Sequence, residues 1–374
     1  MNQYDYIIAG MGCAGLSLAM HLISTKTFSD KKVLLIGRFP ETEAEKTWCY
    51  WENDPGLFEA VVFKRWKQIA ICNEGFNQTL NITPLTYKMV RSRDFYLYCR
   101  QVLAKHPNFS FVYADITQVV EGENAGVIAG RDIYTGQYVF NSLLTAPPMN
   151  DGTIFFLQHF KGFIIKTERP VFTPDIATLM DFNADQQNGT AFFYVLPFSE
   201  TEALVEYTVF SEKQLPDPDY VAELHKYIGG LETPYSILNE ENGAIPMITH
   251  KFSSGVGNCI NIGTAGGQTK ASTGYTFNFI QKHSRKIVSQ LALGKHPNDN
   301  ASRSRFKLYD RILLDVLHQN GSGKDIFCDL FKKNNAAAVL KFLDEETTFT
   351  EELKIISSLP TVPFLKSAFR RFAY

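Results

Sequence analysis

The chain carries almost no net charge. Its 37 Lys and Arg against 39 Asp and Glu leave −2 over 374 residues, so no basic surface of the kind that holds nucleic acid is expected. It has no apolar run of the ~18 residues that a membrane-crossing helix needs. The six cysteines (Cys13, Cys49, Cys72, Cys99, Cys259, Cys328) form no CxxC and no close pair. That pattern suits scattered reduced thiols in a cytosolic protein rather than a disulfide framework. The eight histidines never fall at metal-ligand spacing, so no metal is expected. Strand character begins by Tyr4, which leaves no room for a signal peptide. Internal repeats and low-complexity tracts are missing too.

Aromatic residues are abundant: 30 Phe and 17 Tyr within a chain that is 45% hydrophobic. They either line an interior space or simply make a Phe-rich core. The length allows roughly two domains at about 150 residues each.

Residues 4–9 read as a short buried strand, followed by Gly10-Met11-Gly12-Cys13-Ala14-Gly15 and by a helix with Leu16, Ala19, Met20 and Ile23 on one side. Lys31–Ile36 is the next strand. A glycine fingerprint inside a complete β-loop-α-β unit is far more specific than the glycines alone. Gly10, Gly12 and Gly15 serve the tight turn, the approach of a pyrophosphate and close helix packing. Ala14 lies in the same loop, and the helix start offers unpaired N–H groups to phosphate. The acidic residue expected at the end of the second strand for the ribose is replaced by Gly37, with Arg38 next and Glu41 and Glu43 as nearby substitutes. A second glycine loop, Gly263-Thr264-Ala265-Gly266-Gly267, follows a strand and precedes a helix. It reads either as a flavin-contacting loop, usually Gly-Asp where this chain has Gly263-Thr264, or as an ordinary turn.

Between these loops the chain is β-rich. Strand-like stretches cover 59–71 and 78–89, a helix 93–105, further strands from about 110 to 215, a helix 218–228 and another 275–293. The expected partition is a nucleotide-binding part over 1–75, 90–145 and 255–300, a β-rich substrate part over 76–89 and 146–254, and a helical C-terminal region over 301–374. One strand of the middle part, Ala203 to Phe210, is apolar but for Glu206 and Thr208. Alternation puts Glu206 with Leu204, Thr208 and Phe210 on one face, away from any Lys or Arg on that strand. A carboxyl in such company tends to keep its proton at neutral pH. The plainer alternative is an edge-strand glutamate, exposed or paired with a distant Arg.

The segments Thr47-Trp48-Cys49-Tyr50-Trp51, Gln158-His159-Phe160-Lys161-Gly162, Met180-Asp181-Phe182, Tyr194-Val195-Leu196-Pro197-Phe198, Leu204-Val205-Glu206-Tyr207-Thr208, Gly243-Ala244-Ile245-Pro246-Met247 and Gly266-Gly267 through Ser272-Thr273-Gly274-Tyr275 occur in this order. Together they resemble the bacterial lycopene β-cyclase family, from Tyr4 to about Leu365. The resemblance implies an α/β fold: a Rossmann-type FAD-binding domain interrupted by a mixed-sheet substrate domain, with a helical C-terminal tail, as in glutathione-reductase-like flavoproteins. It implies FAD, active in its reduced form, with NADPH as a candidate electron source. The implied reaction is non-redox cyclisation of the linear ends of lycopene to β-rings.

Glu206 falls on the family's essential glutamate, while Tyr207 stands where many members have a second carboxyl. By the resemblance Gly10, Gly12, Ala14, Gly15, Gly263, Thr264, Gly266 and Gly267 hold FAD. Of Arg91 and Arg93, one contacts FAD as the resemblance suggests, or both are solvated. Asp181 reads as a turn former or a pocket residue. The tail Val362–Phe372 mixes aromatics with Lys and Arg, as an interfacial anchor would, or is a solvated or core-packed end. The expected partners are an apolar carotenoid and a membrane surface. The expected place is the cytoplasm, peripherally on the inner face of the membrane. The competing reading is an FAD/NADPH-dependent monooxygenase or reductase acting on an isoprenoid lipid.

Overall fold

The strand Asn2–Ala9 forms because YDYIIA is a near-continuous apolar run, the signature of a strand buried on both faces. In the computed structural model, which describes residues 2–38, 45–144, 153–298, 304–320 and 323–372, it lies at the centre of the first sheet. It pairs in parallel with Val33–Gly37 on one side and Asp132–Asn141 on the other. Phe109–Tyr113 extends the sheet beyond Val33–Gly37, and Cys259–Asn261 extends it beyond Asp132–Asn141, both in parallel. Ile7, Ile8, Leu34 and Leu35 are fully buried. The helices Cys13–Ile23, Ser92–Leu103 and Phe277–Ala292 contribute to the core on one face. The antiparallel pair Ile116–Val120 and Gly126–Ala129 contributes to the core on the other.

The second sheet has the order Tyr235–Ile248, Phe155–Thr167, Glu202–Ser211, Thr190–Pro197, Ile176–Asp181, Gln68–Asn73, Phe76–Asn81. Its two faces are covered differently. Val205, Tyr207 and Val209 pack with Tyr220, Leu224 and Ile228 of the helix Asp217–Gly229. On the opposite face Leu204 and Phe210 share a core with Phe327 and Phe331 of the helix Gly323–Lys333 and Leu340 of Ala336–Leu343. A third, three-stranded antiparallel sheet, Thr47–Glu52, Thr86–Arg91 and Val62–Trp66, stands beside the cavity described below.

The stretches 59–71 and 78–89 are each divided rather than continuous. The first becomes a short 3-10 turn and the strands Val62–Trp66 and Gln68–Asn73, which enter two different sheets. The second breaks between Phe76–Asn81 and Thr86–Arg91, around Pro84, which has no N–H to give to a ladder. Gln68–Asn73 therefore sits in the second sheet, although it lies inside the 1–75 segment expected of the nucleotide-binding part. The C-terminal region is helical: Ser304–Asn320, Gly323–Lys333, Ala336–Leu343, Phe349–Ser357 and Thr361–Phe372. Among the described residues no helix is long and apolar enough to cross a membrane.

Candidate active site

The glycine fingerprint is built by close backbone approaches. A Cβ on Gly15 would lie 2.0 Å from the Gly10 carbonyl oxygen, so only glycine lets this helix start so near the strand. Gly10, at φ +102°, would bring a Cβ to 2.2 Å from Ser142 Oγ. Gly12 differs: a Cβ there would meet nothing within 4 Å. It is the N-cap of Cys13–Ile23, no side chain caps that helix start, and its first turn carries no acid. The first N–H groups and the positive end of the helix dipole thus face open space, as an anion-binding terminus requires.

The second glycine loop lies against the first, since a Cβ on Gly263 (φ +61°) would come within 2.6 Å of Ala14 Cβ. Gly266 passes so near Asn261 that a Cβ would sit 2.3 Å from its carbonyl oxygen. Gly267 is left-handed at φ +73° and closes the turn Gly263–Gly266. Thr264 Oγ1 lies 3.2 Å from Thr269 Oγ1.

Four other positions named from the sequence have definite neighbours. Gly37 presses on the fingerprint turn, where a Cβ would lie 3.2 Å from Gly10 Cα, and exposed Arg38 pairs with Asp115. Glu41 and Glu43 lie outside the described residues. Arg91 donates to Asp94 at 2.7 Å and stacks on Phe63 at 4.1 Å; it does not line the cavity. Asp181 is a turn former, accepting from the Asn183 backbone and side chain, and it also accepts from Tyr227 Oη.

Glu206 lies on the face alternation predicts and is 7% exposed. Thr208 Oγ1 donates to its Oε1 at 2.6 Å. Opposite Glu206, on the neighbouring strand, is Gly162; the far neighbour of Gly162 is Glu241. A Cβ built on Gly162 would lie 3.3 Å from Glu206 Cβ and 3.4 Å from Glu241 Cγ. The glycine therefore leaves a slot across which two carboxyl side chains lean on one sheet face. Glu241 is as buried as Glu206, at 6%, and accepts from Thr47 Oγ1 at 2.8 Å.

Burial holds the Glu206 carboxyl above the ordinary carboxylate range; the nearby Glu241 charge adds to this and the Thr208 hydroxyl opposes it. Glu241 is raised for the same first reason, against the hydrogen bonds from Thr47 and with help from the charge of Glu45. Among the described residues no ion pair reaches either group.

One cavity of about 550 Å³ connects these parts. Its wall includes Gly12, Cys13 and Ala14 of the fingerprint, Thr264 of the second loop, and Glu206 and Glu241 on the sheet. Phe160, Phe192, Tyr194, Phe210, Tyr275 and Phe277 line it as well, and Phe327, Phe331, Leu340 and Leu343 of the C-terminal helices complete it. Six of the 30 Phe and four of the 17 Tyr thus line this space, while the larger share lies elsewhere in the protein. Two polar atoms of this wall, Gln158 Oε1 and Thr273 Oγ1, are buried without a hydrogen-bond partner among the described residues. Orphaned groups of this kind are costly unless a ligand or water satisfies them. With the open cradle at Gly12 they fit a dinucleotide cofactor with polar groups that could satisfy them.

Thr47, Gln158 and Thr273 lie in segments that carry the resemblance but had no role assigned from the sequence, and Glu241 was not singled out at all. For Glu241 the signal was partial: alternation along Tyr235–Ile248 puts it with Gly243, Ile245 and Met247, but also with Asn239, on one face.

A Rossmann-type sheet joined to a second sheet over one cavity is the fold of FAD-dependent monooxygenase- and reductase-type flavoproteins. The chain superposes on a geranylgeranyl bacteriochlorophyll reductase-like protein of Thermoplasma acidophilum with a TM-score of 0.62, at 14% identity over 98% of each chain. A flavin-dependent brominase gives 0.60 at 14% identity, over 100% of this chain and 98% of the other. These likenesses show the fold alone. Within that class, the family model for lycopene cyclase protein matches residues 5–369, and the chain belongs to the lycopene cyclase family. It is 24% identical to the lycopene beta-cyclase of Pantoea ananas, over 97% of this chain and 96% of that one. It is 26% identical to the lycopene beta-cyclase of Paracoccus sp. over 58% of this chain and 60% of that one.

Proposed function

We propose that the protein is a lycopene β-cyclase that binds FAD and closes the linear ends of lycopene to β-rings without net redox change. The observation that carries this reading is a buried, uncompensated carboxyl, Glu206, in an aromatic cavity continuous with the dinucleotide fingerprint.

Lycopene is a hydrocarbon with no polar handle, so its affinity comes from buried apolar area, about 25 cal/mol per Å². The aromatic wall provides that surface. Protonated Glu206 delivers a proton to C2 of the terminal C1=C2 bond, leaving a tertiary cation at C1. The C5=C6 bond then attacks, joining C1 to C6, and loss of the C6 proton leaves the ring double bond. An alkene is a very weak base, so the acid must work where water is excluded. Burial of Glu206 keeps the proton in place until the chain end arrives. The faces of Tyr194, Phe210 and Tyr275 steady the cation by about 0.5–2 kcal/mol each and keep water from trapping it. Reduced FAD, when bound, supplies negative charge for the same cation. Gly10, Gly12, Ala14 and Gly15 would receive its pyrophosphate, and Gly263, Thr264, Gly266, Gly267, Gln158 and Thr273 its ring side. Arg91, tied to Asp94, is the weakest member of that proposed set. NADPH is the candidate electron source.

In this reading the FAD-binding part comprises 1–75, 90–145 and 255–300, less the strand Gln68–Asn73, which pairs in the substrate sheet. The substrate lives in a bilayer, and the last helix supplies a docking face. Phe364 and Ser367 turn inward, while Val362, Leu365 and Phe369 are 61%, 51% and 72% exposed. Peripheral association with the inner face of the membrane follows from this reading.

The test is expression in cells that accumulate lycopene, followed by pigment chromatography. The wild type should yield γ- and β-carotene, and Glu206→Gln should retain flavin yet yield none. Normal turnover by Glu206→Gln would refute the assignment. Consumption of NADPH in step with product would instead mark a reductase or monooxygenase.

A further inference from the structure

The second buried carboxyl has no part in the chemistry so far, and its placement is as deliberate as that of Glu206. Gly162 is paired with Glu206 on one side and with Glu241 on the other, and both side chains close over the space a Cβ would take. We propose that Glu241 is a positioning residue that shares one proton with Glu206, so that Glu206 stays loaded for delivery and the proton lost from the ring is recaptured on the pair. This rests on the cyclisation reading and deepens it.

Two carboxylates in one dry slot cannot both ionise cheaply, so the pair keeps one proton and titrates as a unit. The groups facing the pair from other elements do not relieve this. They are Cys49 on the strand Thr47–Glu52, Tyr87 on Thr86–Arg91, Tyr194 on Thr190–Pro197, and Tyr275. Burial pushes the Cys49 thiol up to about 12, so it brings no charge at neutral pH. Glu45 adds a further negative charge near Glu241, and Lys46 is exposed where it lines the cavity. Lys161, beside Gly162, is held by Asp217 and Glu240.

The step balances. The O–H bond of Glu206 breaks as a C–H bond forms on the alkene. That leaves two adjacent carboxylates, an arrangement that favours the cation and draws the C6 proton back. The C6–H electrons become the ring double bond, and an O–H bond re-forms on the pair. No proton or electron is consumed overall.

Glu241→Gln keeps the shape and an acceptor for Thr47 while removing the second charge. With the full-length, flavin-loaded protein and lycopene in liposomes, the alkaline limb of the activity–pH profile should move down by about one unit or more. Infrared titration of the protonated carboxyl band, which needs no turnover, is the second measurement. The band should persist to higher pH in the wild type than in Glu241→Gln or in Glu206→Gln. A limb and a band that titrate as in the wild type would overturn the proposal, even if the rate falls, because a merely structural glutamate lowers rate without moving either. A wild type that forms no cyclic product would overturn the function assigned above instead, and the infrared result would still decide whether the pair shares a proton.

Discussion

Thr208→Val tests whether Glu206 acts as a proton donor, because it alters one hydrogen bond and almost no volume. Thr208 Oγ1 donates to Glu206 Oε1 at 2.6 Å, and this bond favours the ionised carboxyl against the burial that raises it. A hydrogen bond to a charged acceptor is worth about 1.5–3 kcal/mol, and 1.36 kcal/mol corresponds to about one pKa unit. Removing the hydroxyl should therefore raise the Glu206 pKa by about one to two units. Cyclisation depends on the protonated form, so the alkaline limb should move up by that amount. The plateau should fall, because a weaker acid protonates an alkene more slowly. The assay is cyclic product by chromatography across pH, with flavin kept reduced and content verified by absorbance. An alkaline limb that stays in place or moves down, in a variant with normal flavin content, would refute the reasoning.

Gly162→Ala places a methyl 3.0 Å from Leu204 Cδ1, 3.3 Å from Glu206 Cβ and 3.4 Å from Glu241 Cγ. Overpacking costs about 1–3 kcal/mol against a gain of about 0.4–1 from the stiffer unfolded chain. Thermal melts should show a modest loss, while cyclisation falls far more as the carboxyls are pushed apart. Gly12→Ala should fold with an apo-protein melting temperature near that of the wild type but lose flavin absorbance; Gly15→Ala, with its Cβ 2.0 Å from the Gly10 carbonyl, should lose stability as well. Glu206 is held above its unfolded pKa, so its protonated form stabilises the fold at pH below the ordinary carboxylate range, and that contribution fades as pH rises through the folded value. Denaturant titrations of Glu206→Gln against the wild type should hence diverge on the alkaline side in favour of the variant, and converge in acid. Replacing Val362, Leu365 and Phe369 with Ser should cut co-sedimentation with anionic liposomes while leaving the melt nearly unchanged; undiminished binding would remove the tail from the membrane contact.

What could be read directly from the sequence is local in the chain. The fingerprint compresses strand, turn and helix start into neighbouring residues, and the close approach that requires Gly15 lies within it, whereas Gly10 is confined by Ser142 from far along the chain. The face of Glu206 follows from alternation along one strand, and Leu204 and Phe210 lie on that same side, as expected. The split between Val62–Trp66 and Gln68–Asn73 was not legible. Both halves have strand-like residues, and the change of sheet between them depends on partners that come later in the chain, Thr86–Arg91 and Ile176–Asp181.

Glu241 shows the same limit at the site itself. Its own strand gave a weaker cue than that of Glu206, since Asn239 shares its face and half of the strand is exposed, and its chemical meaning comes through pairing. Residue 162 must be opposite 206 on one strand and 241 on the other, and it must be glycine for both carboxyls to lean into one slot. Gly162 and Glu241, unremarked in their own segments, join Glu206 in one proton site only when the register is known. Shifting either neighbouring strand by one residue would turn its carboxyl to the opposite face, and for the strand carrying Glu206 that is the face packed by the helix Asp217–Gly229. The pairing of Phe155–Thr167 with its two neighbours is therefore as much a determinant of the proposed acid as the identity of residue 206.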